Sequence, residues 1–556
     1  MSESGGALTE SPTTLDARLI ALVALLALVA SAPSLLNDFA YDDRWIIVTN
    51  PRVHSLSRWS DWFTTAYWPT VKGSLYRPLT TTGFALQWWM GGGSPLVFHI
   101  VCVALYVAGT VAVTKLAALL LPIRAAVIVG ALFAVHPTHV EAVANVVGQS
   151  ELWVGLVMVC ATIVYIRARR AGPFTRRTTV TIAVLYLAAA LFKEHGLTLP
   201  AWFLVAELTV LRDIGGPLRA RLASLTPLAL LMVAGAALAI TLRVDVLGAV
   251  GGDVPHPALR EVGGGGRVLI MLGLLPDLAR LIVWPARLYA DYSPDHVMVS
   301  ATPSISQLNG IVVAIGMIVI IVAAWRYSRP AAFGVLIAAA AWLPTANLLF
   351  PSGILLSERT LYLPTAGALI AVGVGAAWFD RRYTGNLNAM RTGGALLATL
   401  LVLCVGRFVD RTRAWRSSVD LFWTMQRDEP TSFRARYAWG SVLFDRGDLR
   451  GGEREWRAAI RIYPNYPNVY ADLAHRYREH GFCRGALPLY ATALELDERQ
   501  DGSRQGSVAC YLALAQYRAA RDAAQSAIAR GDFVDWYKAR IVSADSALAA
   551  LDSLKR

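Results

Sequence analysis

Charged residues are scarce in this chain: aspartate, glutamate, lysine and arginine together make up 16% of its 556 residues. Hydrophobic residues make up 55%, and the mean hydropathy is +0.45. A soluble protein of this length could not bury so much apolar surface in its core. Because the apolar residues also come in long runs, the composition places the chain among membrane proteins.

Cysteine is scarce as well, with five residues and no Cys-x-x-Cys pair, so the usual zinc and thiol-redox signatures are absent. Three of the five lie in apolar segments, where they are interpreted as packing residues. Cys483 and Cys510 lie in a polar C-terminal region. They could pair if that region is extracytoplasmic, although spacing alone does not settle the pairing.

The chain has a net charge of +13, and nearly all of its basic residues are arginine. No basic stripe with interleaved aromatic residues accompanies this charge, so nucleic acid is not expected as a partner. Positive charge accumulates in the cytoplasmic loops of membrane proteins. The excess of arginine is therefore interpreted as a topology signal.

About eleven apolar runs indicate membrane spans. The first, at about 19–36, ends near an Ala-Ser-Ala stretch that resembles a signal-peptide cleavage site. Because a proline follows at once and no basic cluster precedes the run, we interpret it as an uncleaved span. The run at about 267–283 contains Asp277 and Arg280 and is predicted to be an amphipathic helix at the membrane surface. The predicted spans are 19–36, 96–120, 125–141, 149–166, 178–192, 196–211, 224–241, 308–325, 330–349, 361–378 and 393–409.

Arginine clusters in short loops orient this bundle. With eleven spans and a cytoplasmic N-terminus, every cluster falls on the cytoplasmic side. The loop at 37–95 and the C-terminal region then fall on the extracytoplasmic side. The clusters lie at 167–177, 212–221, 326–329 and 381–382.

The C-terminal region carries a 34-residue period. Gly440 and Trp456 correspond at this spacing to Ala474 and Tyr490, as in tetratricopeptide repeats. A third helical pair is predicted at about 507–530, followed by a capping helix. An unrelated helical bundle is the alternative.

The predicted fold class is therefore all-α. Residues 1–411 are expected to form a polytopic membrane helix bundle of about eleven spans. Residues 412–556 are expected to form a tetratricopeptide-repeat α-solenoid.

Ionisable residues stand where apolar runs end. Asp42 and Asp43 follow the first span, where a carboxylate pair could act as a general base or hold a divalent metal. A solvated loop or a helix cap is the plainer alternative. Arg77 in the same outer loop could meet a phosphate, and His136, His139 and Glu141 could line a cavity at the membrane border. The spacing of these histidines does not match the HExxH zinc signature, so zinc is not expected.

Two further groups have the same character. Lys193, Glu194 and His195 interrupt an apolar hairpin, either as a polar site facing a cavity or as a short external turn with an ion pair. Glu358 and Arg359 open a later span. Arg359 could simply extend to the interface, or it could bind a lipid phosphate. In the predicted topology all these groups lie outside, and their convergence suits an enzyme that uses a lipid-phosphate donor.

Five sequence blocks resemble those of the transmembrane and tetratricopeptide-repeat-containing O-mannosyltransferases, which are of the GT-C glycosyltransferase class. The blocks occur in the family's order and cover most of the membrane part. They are YDDRWIIVTNPRV (41–53), YRPLT (76–80), HPTHVEAVANVVGQSEL (136–152), KEHGLTLPA (193–201) and ANLLFPSGILLSERTLYLPTAG (346–367).

The resemblance implies a GT-C-like fold, a polyprenyl- or dolichyl-phosphate-mannose donor and Ser/Thr hydroxyls of extracytoplasmic proteins as acceptors. It places Asp42 and Asp43 at the acidic-pair position, with one of them as general base and inversion in a single displacement. We expect Arg359, Lys193 and Arg77 to stabilise the leaving phosphate. The resemblance requires no cofactor besides the lipid-linked donor, and metal dependence stays open.

The repeat region departs from the family pattern because it has only about three units. This leaves the acceptor protein and the sugar open, although the repeats are expected to hold acceptors. Two other classes of function remain: a non-catalytic scaffold that recruits partners through the repeats, and a transporter or flippase of lipid-linked sugars. A transporter would need polar residues near the middle of several spans, whereas here they stand mostly at span ends.

Overall fold

The computed structural model describes residues 15–69, 75–251, 256–260, 262–292, 304–530 and 533–554. All regular elements within these ranges are helices, which confirms the predicted all-α class. The chain forms two compact units, one ending at Thr424 and the other beginning at Met425.

The helices before this boundary are α1 (Ala17–Ser31), α2 (Asp61–Thr64), α3 (Pro78–Gly91), α4 (Pro95–Ala118), α5 (Ile123–Ala134), α6 (Val140–Ala144), α7 (Gln149–Ala171), α8 (Arg176–Phe192), α9 (Leu199–Leu208), α10 (Leu218–Ala223), α11 (Thr226–Leu247), α12 (Pro257–Arg260), α13 (Gly264–Val283), α14 (Ile305–Tyr327), α15 (Arg329–Trp342), α16 (Tyr362–Arg382) and α17 (Leu387–Ala414). Helix α18 (Ser418–Asp428) includes the boundary. It is followed by α19 (Phe433–Asp445), α20 (Leu449–Ile462), α21 (Pro467–Glu479), α22 (Cys483–Leu496), α23 (Asp501–Ala513), α24 (Tyr517–Ile528) and α25 (Val534–Leu554).

Seven helical segments of the described chain are long and apolar enough to cross a membrane, and each coincides with a predicted span. An eighth predicted span is a bent pair, Ile123–Ala134 and Pro137–Ala144, whose halves meet at 48°. The other three predicted spans are α8, α9 and α15, with 17, 10 and 14 residues. These are shorter than the roughly 20 residues that a span requires. The first unit is thus a multi-pass bundle with fewer full-length spans than the eleven predicted.

Close packing between α15 and α16 depends on two glycines. A methyl group added to Gly334 would meet the carbonyl oxygen of Gly367 at 2.5 Å, and one added to Gly367 would clash with Gly334 in return. Small residues at such a crossing let helix backbones approach within the membrane. This contact positions the first half of α16, which follows the 3₁₀ segment Glu358–Leu361 that carries Arg359.

A buried carboxylate near the end of α9 collects two of the arginines that the sequence places in cytoplasmic loops. Arg169 donates from Nε to Oε1 of Glu207 at 2.6 Å, and Arg221 Nη1 lies 3.2 Å from Oε2. The Tyr165 hydroxyl donates to Oε1 at 2.9 Å. These two arginines are therefore held in ion pairs inside the bundle instead of facing water.

The second unit contains three antiparallel helix pairs, α19/α20, α21/α22 and α23/α24, followed by α25. Gly440 lies against Trp456, whose indole nitrogen donates to the carbonyl of Tyr437 at 2.8 Å. Gly447 and Gly481 follow the first helix of their pairs with φ of +83° and +79°, which favours glycine. The arrangement is compatible with the predicted tetratricopeptide pattern.

A disulfide joins Cys483 at the start of α22 to Cys510 in α23. It therefore links the second helix pair to the third. Disulfides persist in oxidising compartments and are rare in the cytosol. The cysteine pair that the sequence left open is thus bonded in this structure.

This pairing predicts the outcome of thiol alkylation on the membrane-extracted protein. In denaturant without reductant we expect three cysteines to be labelled, Cys102, Cys160 and Cys404, because only these are free. Reduction should raise the number to five. Labelling of all five before reduction would show that the bond does not form in the cell. The Cys483→Ser variant is the control, since it should release Cys510 for labelling.

Candidate active site

Arg359 meets two carboxylates that come from distant parts of the chain. Its Nη1 lies 3.4 Å from Oδ2 of Asp42, and its Nε lies 3.6 Å from Oε1 of Glu141. The side chains of Asp42 and Arg359 are 15% and 18% exposed, whereas that of Glu141 is 5% exposed. Asp42 and Arg359 therefore remain accessible to a substrate, and Glu141 supports them from within.

Glu141 also fixes the backbone that carries Arg359. The Ser357 hydroxyl lies 2.9 and 3.0 Å from the two oxygens of this carboxylate, and the Arg359 backbone N–H donates to one of them at 2.9 Å. Glu141 lies in the one-turn helix α6, which follows the bend between α5 and the 3₁₀ turn Pro137–His139. A buried carboxylate with charged and N–H donors is a strong anchor.

Asp43 has a different environment from its neighbour. It is fully buried, and its carboxylate accepts backbone N–H bonds from Ala40 at 3.1 Å, Val146 at 3.2 Å and Val147 at 2.8 Å. Burial raises the pKa of Asp43 to about 7, although the three N–H donors oppose this by favouring the carboxylate. Asp43 thus ties the outer loop to the start of α7, and Asp42 is the member of the pair that faces Arg359.

Lys193 forms a buried ion pair with Glu151 of α7. Burial lowers the pKa of Lys193 to about 8, Glu151 opposes this, and the positive charges of Arg77 and Arg359 reinforce it. These electrostatic effects place Lys193 in the same charged group as Arg359. Glu151 was not singled out from the sequence, although an ionisable residue inside an apolar span is a recognised signal.

Arg77 and Arg243 share the carboxylate of Glu194. Arg77 Nη2 lies 3.0 Å from Oε2, and Arg243 Nη1 lies 2.9 Å from Oε1. Burial alone would raise the pKa of Glu194, but the two guanidinium groups hold it far below its usual range. Arg243, near the end of α11, is a second cation of this group that the sequence analysis did not identify.

His195 is buried next to this network. Neither of its ring nitrogens has a hydrogen-bond partner among the described residues. Burial lowers the pKa of His195 to about 4, so the imidazole is neutral at physiological pH. A buried polar ring without a partner is costly unless a ligand or water satisfies it.

His136 and His139, the other two histidines predicted to line the site, form hydrogen bonds through both ring nitrogens inside the bundle. His136 contacts the Thr138 hydroxyl at 2.7 Å and the Ile282 carbonyl at 3.1 Å. His139 contacts the Tyr106 hydroxyl at 3.1 Å and the Thr365 hydroxyl at 2.7 Å. These hydrogen bonds connect helices around the bend before α6.

Glu358 points away from its neighbour Arg359. Its Oε1 accepts from the Tyr289 backbone N–H at 2.5 Å and from the Tyr292 hydroxyl at 3.0 Å. Arg411 of α17 lies 3.9 Å away. Glu358 therefore connects two elements to the turn before α16: the segment that follows α13, and helix α17. It supports the site indirectly.

Tyr67 is a site residue for which the sequence carries no clear signal. Its ring lies under the Arg77 guanidinium at 5.2 Å, and its buried hydroxyl has no hydrogen-bond partner among the described residues. Burial raises the pKa of Tyr67, and the charges of Arg77, Arg359, Asp42 and Asp43 all act on it. The hydroxyl thus lies within the charged group and is free to bind a polar ligand.

Metal-ligating residues do not cluster in the part of the chain that the structure describes. There, no group of three or more His, Cys, Asp and Glu side chains is placed to hold an ion.

The chain is similar over most of its length to several protein O-mannosyl-transferases, although no protein-family model matches it. One, from Caenorhabditis elegans, is 26% identical over 443 residues, which are 77% of this chain and 60% of that protein. Protein O-mannosyl-transferase TMTC3 of Homo sapiens is 27% identical over 493 residues, which are 83% of this chain and 53% of that protein. The chain therefore spans between half and two thirds of the length of these relatives.

A solved structure, ArnT from Cupriavidus metallidurans bound to undecaprenyl phosphate, matches 91% of this chain and 79% of its own. The match has 14% identity and a TM-score of 0.38, a level that does not establish a shared fold. The sequence similarity is independent of it. The chain is thus similar over about four fifths of its length to protein O-mannosyl-transferases, which confirms the family resemblance stated from the sequence.

Proposed function

We propose that the chain is a membrane glycosyltransferase that moves a sugar from a polyprenyl-phosphate donor to Ser/Thr hydroxyls of extracytoplasmic proteins. Mannose is the sugar that the names of the relatives favour. The contact between Asp42 and Arg359 is the observation that carries the proposal. It sets a carboxylate that can accept a proton beside a guanidinium that can hold a phosphate, and both retain access to substrate.

The proposed reaction is a single displacement. The acceptor hydroxyl oxygen bonds to the anomeric carbon as the bond from that carbon to the phosphate oxygen breaks. The hydroxyl proton passes to Asp42, and the electron pair of the broken bond leaves with the phosphate. Because the attacking and leaving oxygens lie on opposite sides of the anomeric carbon, the sugar must enter between Asp42 and Arg359 and separate them.

The leaving phosphate already carries negative charge. It therefore needs positive charges nearby to stabilise it and does not need a strong acid to protonate it. Arg359 is the first candidate because it is held by Glu141 and is partly exposed. Lys193 and Arg77 belong to the same charged group, each with a carboxylate partner. The unpartnered groups of Tyr67 and His195 are available for the sugar hydroxyls.

The proposed topology places the N-terminus in the cytoplasm and the site and second unit outside. The disulfide in the second unit supports this orientation. The helix pairs there are the proposed docking region for acceptor proteins. A divalent metal is not required by the proposed step.

A non-catalytic scaffold that recruits partners through the helix pairs of the second unit is the second candidate function. A scaffold has no use for a partly exposed pair of carboxylate and guanidinium such as Asp42 and Arg359. Sugar transfer in a purified assay therefore separates the two functions.

The two members of the acidic pair should fail in different ways. Asp42→Asn should lower transfer to a Ser/Thr peptide by about two to four orders of magnitude, as loss of a base does, with unchanged thermal unfolding. Asp43→Asn should lower the unfolding free energy by about 1–3 kcal/mol, because one amide oxygen cannot accept all three backbone N–H bonds. Normal transfer in Asp42→Asn would remove this carboxylate from the mechanism.

Arg359→Lys should raise the donor Michaelis constant while the acceptor constant changes little, because lysine keeps the charge but loses the two-pronged geometry. Arg359→Ala should be more severe. Donor titrations on purified, folded protein measure this. The control is Arg58→Ala, which removes an exposed arginine from the outer loop at 37–95 that also carries Asp42. Unchanged donor kinetics in Arg359→Ala would shift the phosphate role to Lys193 or Arg77.

Lys193 should give donor binding a pH dependence. Its pKa of about 8 means that it is cationic below that pH and loses its charge as the pH rises. The donor Michaelis constant of the wild type should therefore rise above about pH 8. In Lys193→Arg, which stays charged, this rise should disappear. An identical pH profile in both proteins would show that Lys193 does not contact the donor.

A further inference from the structure

A cavity of about 240 Å³ opens where α9, α14 and α15 come together. Arg212, Arg326 and Arg329 line it, together with Trp325 and Tyr327. Three guanidinium groups around one cavity make a site for a negatively charged group. None of these residues belongs to the candidate active site.

The cavity lies at the opposite end of α9 and α15 from the candidate active site. Helix α9 begins just after the 3₁₀ segment Glu194–Thr198 and ends beside the cavity. Helix α15 runs the other way, from Arg329 at the cavity to the 3₁₀ turn Leu343–Thr345, which contacts that segment. The 14 residues of α15 rise by about 21 Å. The cavity and the candidate active site therefore lie near opposite surfaces of the bundle.

The positive charge at the cavity is only partly neutralised. Arg329 forms an ion pair with Asp213. The guanidinium groups of Arg212 and Arg326 form no ion pair or hydrogen bond with any residue that the structure describes. The nearby arginines Arg169 and Arg221, in contrast, both form ion pairs with Glu207. Two planar, permanently charged groups thus remain available, and this geometry fits phosphate oxygens.

The aromatic residues place the cavity at the level of lipid headgroups. Trp325 and Tyr327 are 47% and 85% exposed, and they lie in the last turn of α14, a 23-residue apolar span. Exposed tryptophan and tyrosine at the end of a span are typical of the membrane–water interface. A ligand of this cavity can therefore keep its hydrocarbon chains in the bilayer while its headgroup meets the arginines.

We infer that this cavity binds the phosphate-bearing headgroup of an anionic membrane phospholipid. The inference is independent of the proposed transfer reaction, because it concerns the other end of the bundle. Basic pockets between spans bind such headgroups on the side of the membrane where acidic lipids are concentrated. In the proposed topology this end of the bundle faces the cytoplasm, where such lipids are found.

The test compares the full-length protein in bilayer nanodiscs of phosphatidylcholine alone and of phosphatidylcholine mixed with phosphatidylglycerol. The double variant Arg212→Gln/Arg326→Gln removes the two available guanidinium groups. The control is Arg176→Gln/Arg177→Gln, which removes the same charge from the exposed start of α8. Thermal unfolding in each bilayer and phosphatidylglycerol retention by native mass spectrometry are measured.

Phosphatidylglycerol should raise the unfolding temperature of the wild type and the control, but not that of the cavity variant. Retention should fall roughly thirtyfold in the cavity variant, which corresponds to the loss of two charge-assisted contacts with one headgroup phosphate. Equal losses in both double variants would overturn the inference in favour of diffuse surface charge. Equal stabilisation of the detergent-solubilised wild type by inorganic phosphate would overturn the lipid as ligand.

A lysine pair keeps the inference testable if the glutamine variant does not fold. Arg212→Lys/Arg326→Lys retains the charge but not the planar geometry, so phosphatidylglycerol retention should fall less than with glutamine but measurably below the wild type. Retention equal to that of the wild type would overturn the assignment of these guanidinium groups.

Discussion

Arg359 lies 218 residues from Glu141 and 317 residues from Asp42 along the chain, yet it contacts both. The rest of the site depends on this guanidinium, because each neighbour is arranged around it. Glu141 holds its backbone as well as its charge, so the arginine is fixed before any ligand arrives. A cation fixed in this way can stabilise a developing negative charge without having to reorganise during the reaction.

Charge pairing explains how so many ionisable groups share one end of an apolar bundle. An unpaired charge costs several kcal/mol to bury, and pairing offsets this cost only when the geometry is good. Here Lys193 has Glu151, and Arg77 and Arg243 have Glu194. The groups left without partners among the described residues are neutral ones, such as the Tyr67 hydroxyl and the His195 ring. The charges of the network are therefore paired within the protein, and its neutral groups have hydrogen-bonding capacity for a polar substrate.

The two ends of the bundle use arginine differently. At the end that carries the candidate active site, each of its arginines lies against a carboxylate. At the other end, Glu207 forms ion pairs with Arg169 and Arg221, while Arg212 and Arg326 stay available around a cavity. From the sequence alone, the four arginines at this second end all count toward the same predicted cytoplasmic excess of positive charge. The fold separates those that hold helices together from those that can meet lipid.

The sequence by itself determined the membrane class, the all-α fold, the location of the apolar runs and the positions where ionisable residues interrupt them, whereas only the structure showed that seven of the eleven predicted spans are long single helices. These features depend on hydropathy and on local spacing, which can be read from residues that are close together in the sequence. It could not decide between Asp42 and Asp43, which are adjacent and chemically identical. Only the tertiary structure placed Asp43 on the N–H groups of Val146 and Val147 and Asp42 at Arg359, and only it brought Tyr67 and Glu151 to the site. The physical reason is that these contacts join segments hundreds of residues apart. They arise from the packing of helices, which a local sequence pattern does not specify.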